Sequence, residues 1–283
     1  MPHSANGGVA INIMDALLLV ALVIAAIVLV DLVPKLKLRH AIRSPFPPHF
    51  EKILEKNVPI YRKLPADLRQ QLHRLIQHFL HTKDFHGCGG LEINDEIRVT
   101  IAGIACLLLL NRKTRVYPEL TSILVYPSAF LAPRTEIDTV GVVSYHEDDL
   151  LGESWGDGRV VLAWDHVKLG SRDFTDGHNV VLHEFAHQLD EESGGADGAP
   201  ILGSRNNYQR WASVFSHEFA SLQAMIDHDH DTVIDEYGAT DPAEFFAVAT
   251  ETFFEKPREM AAHHAALYEE LKRYYRVDPR EWL

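Results

Sequence analysis

Residues 183–187 read His-Glu-Phe-Ala-His, an order in which two imidazoles and a carboxylate can act on one ion. On a helix, positions four apart share a face, so His183 and His187 aim at a common point with Glu184 beside them. Zinc suits that donor set: it takes neutral imidazole, prefers four-coordination and, in catalytic sites, keeps one position for water. Water on such an ion ionises near neutral pH, and Glu184 is placed to accept the proton. Val180, Val181, Leu182, Phe185, Ala186 and Leu189 fill the other faces. The helix is therefore expected to be buried, and two histidines and a glutamate there need a partner to offset their desolvation. The chain also holds an imperfect copy, Ser-His-Glu-Phe-Ala-Ser at 216–221. Ser221 stands where the second ligand would be, so His217 and Glu218 read as helix surface.

A third ligand must come from elsewhere, and two glutamates compete for the place. Asp241-Pro242 looks like an N-cap followed by proline at the first helical position. Glu244 falls three after the cap, where a capping-box glutamate also belongs. Glu251 shares its face to within about 20° but lies about 10 Å further along the axis, so one zinc cannot take both. Spacing alone ranks them equal. Asp190, three after His187, is a weaker ligand candidate and could instead accept a hydrogen bond from a ligand imidazole.

The elements around these residues describe one α+β domain. Residues 50–81 read as helix split near Pro59 and Pro65, with Leu68, Leu72, Leu75, Ile76 and Phe79 on one stripe of the second piece. His73, His78 and His81 there read as solvated. Asn94 is a plausible N-cap for an apolar helix over 95–110, with Cys106 in its core. Strands are expected at 121–126, 139–145 and 159–164. Helices near 206–225, 242–254 and 257–275 close the chain.

Ala16 to Val30 is an unbroken run of 15 apolar residues, and residues 11–33 together are long enough to cross about 30 Å of hydrocarbon. No Lys or Arg precedes the run, whereas Lys35, Lys37, Arg39 and Arg43 follow it. Neither a signal-peptide charge pattern nor a cleavage site is evident. The expected organisation is a short outer terminus (1–10), a single-pass transmembrane helix (11–33), a basic and Pro-rich linker (34–49), and a domain (50–283) on the cytoplasmic side of the inner membrane. With 27 basic against 40 acidic side chains, a net charge of −13 argues against nucleic-acid binding. The two cysteines, Cys88 and Cys106, provide neither a disulfide framework nor a Cys-based metal site.

Five segments, VLHEFAHQLDEESG, GESWGDGRVVLAWDHV, DEIRVTIAGIACLLLLNR, ILVYPSAF and YGATDPAEFFAVATETFF, together resemble the Mlc titration factor A family of bacterial zinc metallopeptidases. The resemblance covers about residues 47–280. It implies a zincin-like domain, similar to the catalytic domain of anthrax lethal factor, with a small mixed sheet, an HExxH helix and a helical C-terminal part. It also implies one zinc per chain on His183, His187 and Glu244, Glu184 as general base, and a peptide or protein substrate. Tyr237, seven before Glu244, would stabilise the oxyanion. By the same resemblance a cytoplasmic transcriptional regulator is a partner, sequestered by the best-known member, which is soluble where this chain carries an anchor. Val248 stands where a thermolysin-like Glu-x-x-x-Asp signature would place aspartate, so that arrangement is not expected. By analogy with zincin architecture the strand over 159–164 is either the edge strand that aligns substrate or a plain core strand.

Overall fold

The computed structural model describes residues 13–137, 143–150, 152–155, 158–228 and 230–282, and it divides into two units, residues 1–44 and 45–283. The first unit is one helix, α1 (Ile13–Arg43). It runs past Val33 and through Pro34, so the first ten residues of the expected linker are helical. Its Leu17, Leu18, Leu22 and Ile24 are more than half exposed. Asp31 and Lys35, one turn apart, form an ion pair at 2.6 Å. Among the described residues this is the one helix long and apolar enough to cross a membrane.

The second unit begins with α2 (Pro48–Asn57), a 3-10 turn at Pro59–Lys63 and α3 (Ala66–Thr82). Both breaks fall at the prolines, which lack the N–H that would continue the ladder. The α3 stripe faces inward, as its 3.6-residue period requires, with Leu68, Leu72, Ile76 and Phe79 buried and Leu75 partly so. His73 departs from the solvated reading. Its ring stacks on Phe46 at 3.9 Å and its Nε2 lies 2.7 Å from the Tyr61 hydroxyl, so burial pulls its pKa below the ordinary value.

A short strand β1 (Asp84–Gly87) leads to α4 (Asp95–Leu107), capped by Asn94, whose Oδ1 accepts from the Ile97 N–H at 3.0 Å. Cys106 is fully buried in it. Then come β2 (Ser122–Tyr126), β3 (Phe130–Ile137), β4 (Val143–Leu150), β5 (Gly152–Trp155) and β6 (Arg159–Ala163). The first part of the expected strand at 139–145 lies outside the described residues. Strands β3 and β4 pair with each other, antiparallel. The remaining strands form a mixed sheet in the order β1-β2-β6-β5, parallel except for β5. The strand at 159–164 is thus interior. β5 covers its flank as an antiparallel neighbour and forms the sheet edge.

Helices α5 (Trp164–Arg172), α6 (Val180–Glu191), α7 (Arg205–Asp227), α8 (Pro242–Glu255), α9 (Pro257–His263) and α10 (Ala265–Tyr275) complete the unit. α6 carries the His-Glu-Phe-Ala-His run and packs between α8 and α4, next to β5 and β6. Val181, Leu182, Phe185, Ala186 and Leu189 are all buried. Phe185 is wedged edge-on against Tyr117, centroids 4.9 Å apart, and against Phe79. A helix held on that many sides offers its remaining face as a rigid platform.

Candidate metal centre

The free face of α6 presents His183 and His187 one turn apart, and α8 brings Glu244 to them. His183 Nε2 lies 3.2 Å from His187 Nε2, and Glu244 Oε2 lies 3.0 Å from the first and 3.4 Å from the second. Glu244 Oε2 is buried and makes no hydrogen bond despite those neighbours. Three donor atoms from two helices thus converge within 3.4 Å of one another, the spacing of ligands around a single cation. Zinc–ligand bonds of about 2.0–2.1 Å at tetrahedral angles require donors about 3.3 Å apart. The observed separations bracket that value, so the residues fit the metal.

The tie between the two glutamates is resolved by height along α8. Asp241 caps the helix, its carboxylate accepting from the N–H groups of Ala243 and Glu244. The Glu244 side chain is thereby left to reach α6 rather than close a capping box. Glu251, two turns on, accepts from the other nitrogen of the first histidine, His183 Nδ1, at 2.8 Å. That bond orients the imidazole with its Nε2 toward Glu244. Glu251 also accepts from the backbone N–H of Asn179. Asn179 is the N-cap of α6, its Oδ1 accepting from the Leu182 N–H at 3.2 Å. Asn179 Nδ2 and the Gly177 N–H donate to Glu255, at 2.9 and 3.0 Å. Two carboxylates of α8 therefore grip the start of α6. Sequence reading missed this clamp, although Glu251 and Glu255 lie one turn apart among buried phenylalanines, a setting in which carboxylates need partners.

Asp190 neither joins the cluster nor orients an imidazole. Its Oδ2 accepts from the Gly198 N–H at 2.7 Å, tying down the loop after α6, and burial pushes its carboxyl up to about 6. In the imperfect copy, His217 is exposed as expected. Glu218 instead pairs with His264 Nδ1 at 2.7 Å, both side chains nearly buried.

Burial sets the electrostatics. Glu184 is 5% exposed, and that burial pushes its carboxyl up to about 7 while the charges of His183 and His187 pull the other way. A cation in the cluster would add to that downward pull. Burial also acts on His183 and Glu244, but their mutual contact outweighs it. The imidazole is raised well above its ordinary value with help from Glu251, and Glu244 is held well below the usual carboxylate range. Tyr237 sits in a 3-10 turn (Glu236–Ala239) at the rim, 56% exposed, its ring centroid 6.0 Å from that of His183. The Asp235 carboxylate caps that turn by accepting from the Tyr237 N–H at 2.9 Å.

The sequence profile of the family described as glucose-regulated metallo-peptidase M90 matches residues 34–276. The chain belongs to that family. It is 44% identical over 238 residues to an uncharacterized protein of Synechocystis, covering 84% of this chain and 86% of that protein. Proteins called Mlc titration factor A are similar too. That of Salmonella agona is 31% identical over 233 residues, covering 80% of this chain and 85% of its own length. That of Klebsiella pneumoniae is 32% identical over 231 residues, covering 78% and 84%. The M90 match spans α2 to α10, and so contains both helices that build the His183, His187 and Glu244 cluster and the clamp that joins them.

Proposed function

We propose that the chain is a membrane-anchored zinc-dependent peptidase of zincin type, with one zinc held by His183, His187 and Glu244. The observation that carries this reading is the convergence of three protein donors at tetrahedral-edge spacing. Three ligands leave a fourth position open, where a structural zinc site would close it.

When bound, zinc acidifies water and polarises a carbonyl. The side chains supply the rest. Glu184, beside the two histidines on α6, takes a proton from the attacking water and hands it to the leaving amine. Tyr237, at the rim, donates its hydroxyl to the oxyanion that develops on the carbonyl. Glu251 keeps the His183 imidazole in one tautomer and one orientation throughout. Substrate in extended form is aligned by adding to the outer edge of β5, the sheet edge next to α6.

The test is paired. Wild type binds one zinc per chain and cleaves peptides, whereas Glu184→Gln keeps the zinc and loses cleavage. Turnover retained in Glu184→Gln removes the proposed base, and zinc retained in Glu244→Ala removes the proposed ligand set.

The names of the Mlc titration factor relatives favour a second reading, in which the domain captures a cytoplasmic transcriptional regulator and cleavage is minor. Capture that survives in Glu184→Gln, with wild-type cleavage negligible, favours that role.

A further inference from the structure

Helix α6 ends at Glu191, and its C-cap residue Glu192 lines a cavity that shares no residue with the metal cluster. The cavity holds about 280 Å³, close to the lower limit of about 300–1,000 Å³ common for small-molecule sites. Five cationic side chains line it against two acidic ones, in a chain whose net charge is −13. One of the acids is already engaged. Glu270, almost fully buried, accepts from Arg210 Nε at 2.6 Å and also from Arg273. Arg112, Lys113 and Arg276 form no ion pair among the described residues.

The wall also concentrates unsatisfied polar atoms. Five buried side-chain atoms lack a hydrogen-bond partner among the described residues, and three of them line this one cavity: Arg112 Nη1, Tyr274 Oη and Glu192 Oε1. A fourth is Glu244 Oε2, at the metal cluster, so the same signature marks a site built for an occupant. Tyr274 is 8% exposed, and the Arg112 guanidinium lies over its ring at 4.2 Å. This contact holds the guanidinium plane in place. An unmade bond at each of these atoms is costly, which favours a bound group that completes them.

We propose that this cavity is a second binding site for a small hydroxylated oxyanion, a phosphomonoester or a carboxylate. Its oxygens meet Arg112, Lys113, Arg276 and the Tyr274 hydroxyl, and its own hydroxyl donates to Glu192. A guanidinium presents a fork that matches either oxyanion. A bare anion would leave the Glu192 carboxylate facing like charge, so the occupant must bring a donor. Ile201, Leu202 and Trp211 also line the cavity and give its carbon skeleton an apolar wall.

Thermal unfolding of the full-length chain in detergent tests the site, with glycerol 3-phosphate and malate as the phosphate and carboxylate probes and glycerol as the neutral control. At about tenfold excess over Kd the preferred probe raises Tm by about 3 °C, and the larger of the two shifts identifies the anion class. Lys113→Ala combined with Arg276→Asn abolishes the shift. Both positions are exposed, and Arg276 has φ 59°, a left-handed conformation that asparagine tolerates. The shift persists in His183→Ala/His187→Ala, because the cavity and the metal cluster are separate. The proposal is overturned if neither anion shifts Tm at millimolar concentration, if the Lys113/Arg276 variant responds like wild type, or if the double-histidine variant loses the response. Sulfate, which carries no hydroxyl at neutral pH, acting as strongly as glycerol 3-phosphate overturns the contact with Glu192.

Discussion

At the scale of single residues, Glu244 and Glu251 carry the same functional group on the same face of α8 and yet do different work. The difference is which histidine nitrogen each one meets, Nε2 or Nδ1. Helical spacing shows that both carboxylates face one way. It does not show how high α8 stands against α6, and for that reason spacing left them level and only the family resemblance singled out Glu244. The His183–His187 pair was legible because its geometry is local to one helix. In Glu251→Gln a neutral amide replaces the carboxylate that accepts from His183, so zinc affinity is expected to fall about 10- to 100-fold. Competition against a chelator of known affinity measures it, and an unchanged Kd removes Glu251 from the role of orienting partner. Tyr237→Phe deletes only a hydroxyl at the rim. Zinc content should stay at wild-type level while kcat falls about 100-fold, the size of an oxyanion-donor loss. A loss confined to KM would make Tyr237 a binding contact instead.

Elements hold these residues through two joints, and both can be broken without touching the metal ligands. One is the clamp of α8 on the N-cap of α6. Burial pushes Glu255 up to about 9, far above the ordinary glutamate value, so between those limits the folded chain binds a proton that the unfolded chain has released. Stability from this group is therefore complete below about pH 4.5 and lost as pH rises through about 9. In Glu255→Gln nothing titrates there, and the fall in Tm from pH 5 to pH 9 should be shallower than in wild type. A parallel pair of curves would show that Glu255 ionises normally. The other joint is Gly198, with φ 76°. Its N–H holds Asp190, its carbonyl accepts from Trp211 Nε1 at 2.8 Å, and an added Cβ would run into the Pro242 carbonyl oxygen at the start of α8. Gly198→Ala is expected to cost at least about 2 kcal/mol, read from urea unfolding, and to weaken zinc binding by displacing the helix that bears Glu244. Most helices were legible, since caps such as Asn94 and breaks at Pro59 and Pro65 are local signals. β1 and β5 were not. Each is four residues long and includes charged or polar side chains, and such short strands exist only because β2 and β6 supply their hydrogen-bond partners. The edge placement of β6 rested on zincin analogy alone, and β5 holds that place, leaving β6 as the core strand that was its alternative.

On the scale of the whole molecule, the distribution of charge along the chain argues for an orientation. Residues 13–33 of α1 rise about 31 Å at 1.5 Å per residue, and the large apolar side chains from Met14 to Val33 are exposed. In water that surface would cost about 25 cal/mol for each Å² left uncovered. A lipid bilayer removes that cost, and Lys35, Lys37, Arg39 and Arg43 then favour the cytoplasmic face for everything that follows them. Asp31 does not oppose this, because its pairing with Lys35 one turn on places both charges together at the same interface. The chain should therefore remain with the membrane fraction through alkaline carbonate extraction. Ser4→Cys should react with a membrane-impermeant maleimide on intact cells, while Cys88, half-buried in the second unit, should react only after lysis and more slowly. Labelling in the opposite order would put the His183, His187 and Glu244 cluster outside the cytoplasm. A cytoplasmic regulator would then be out of its reach, and substrates would have to be sought among extracytoplasmic peptides.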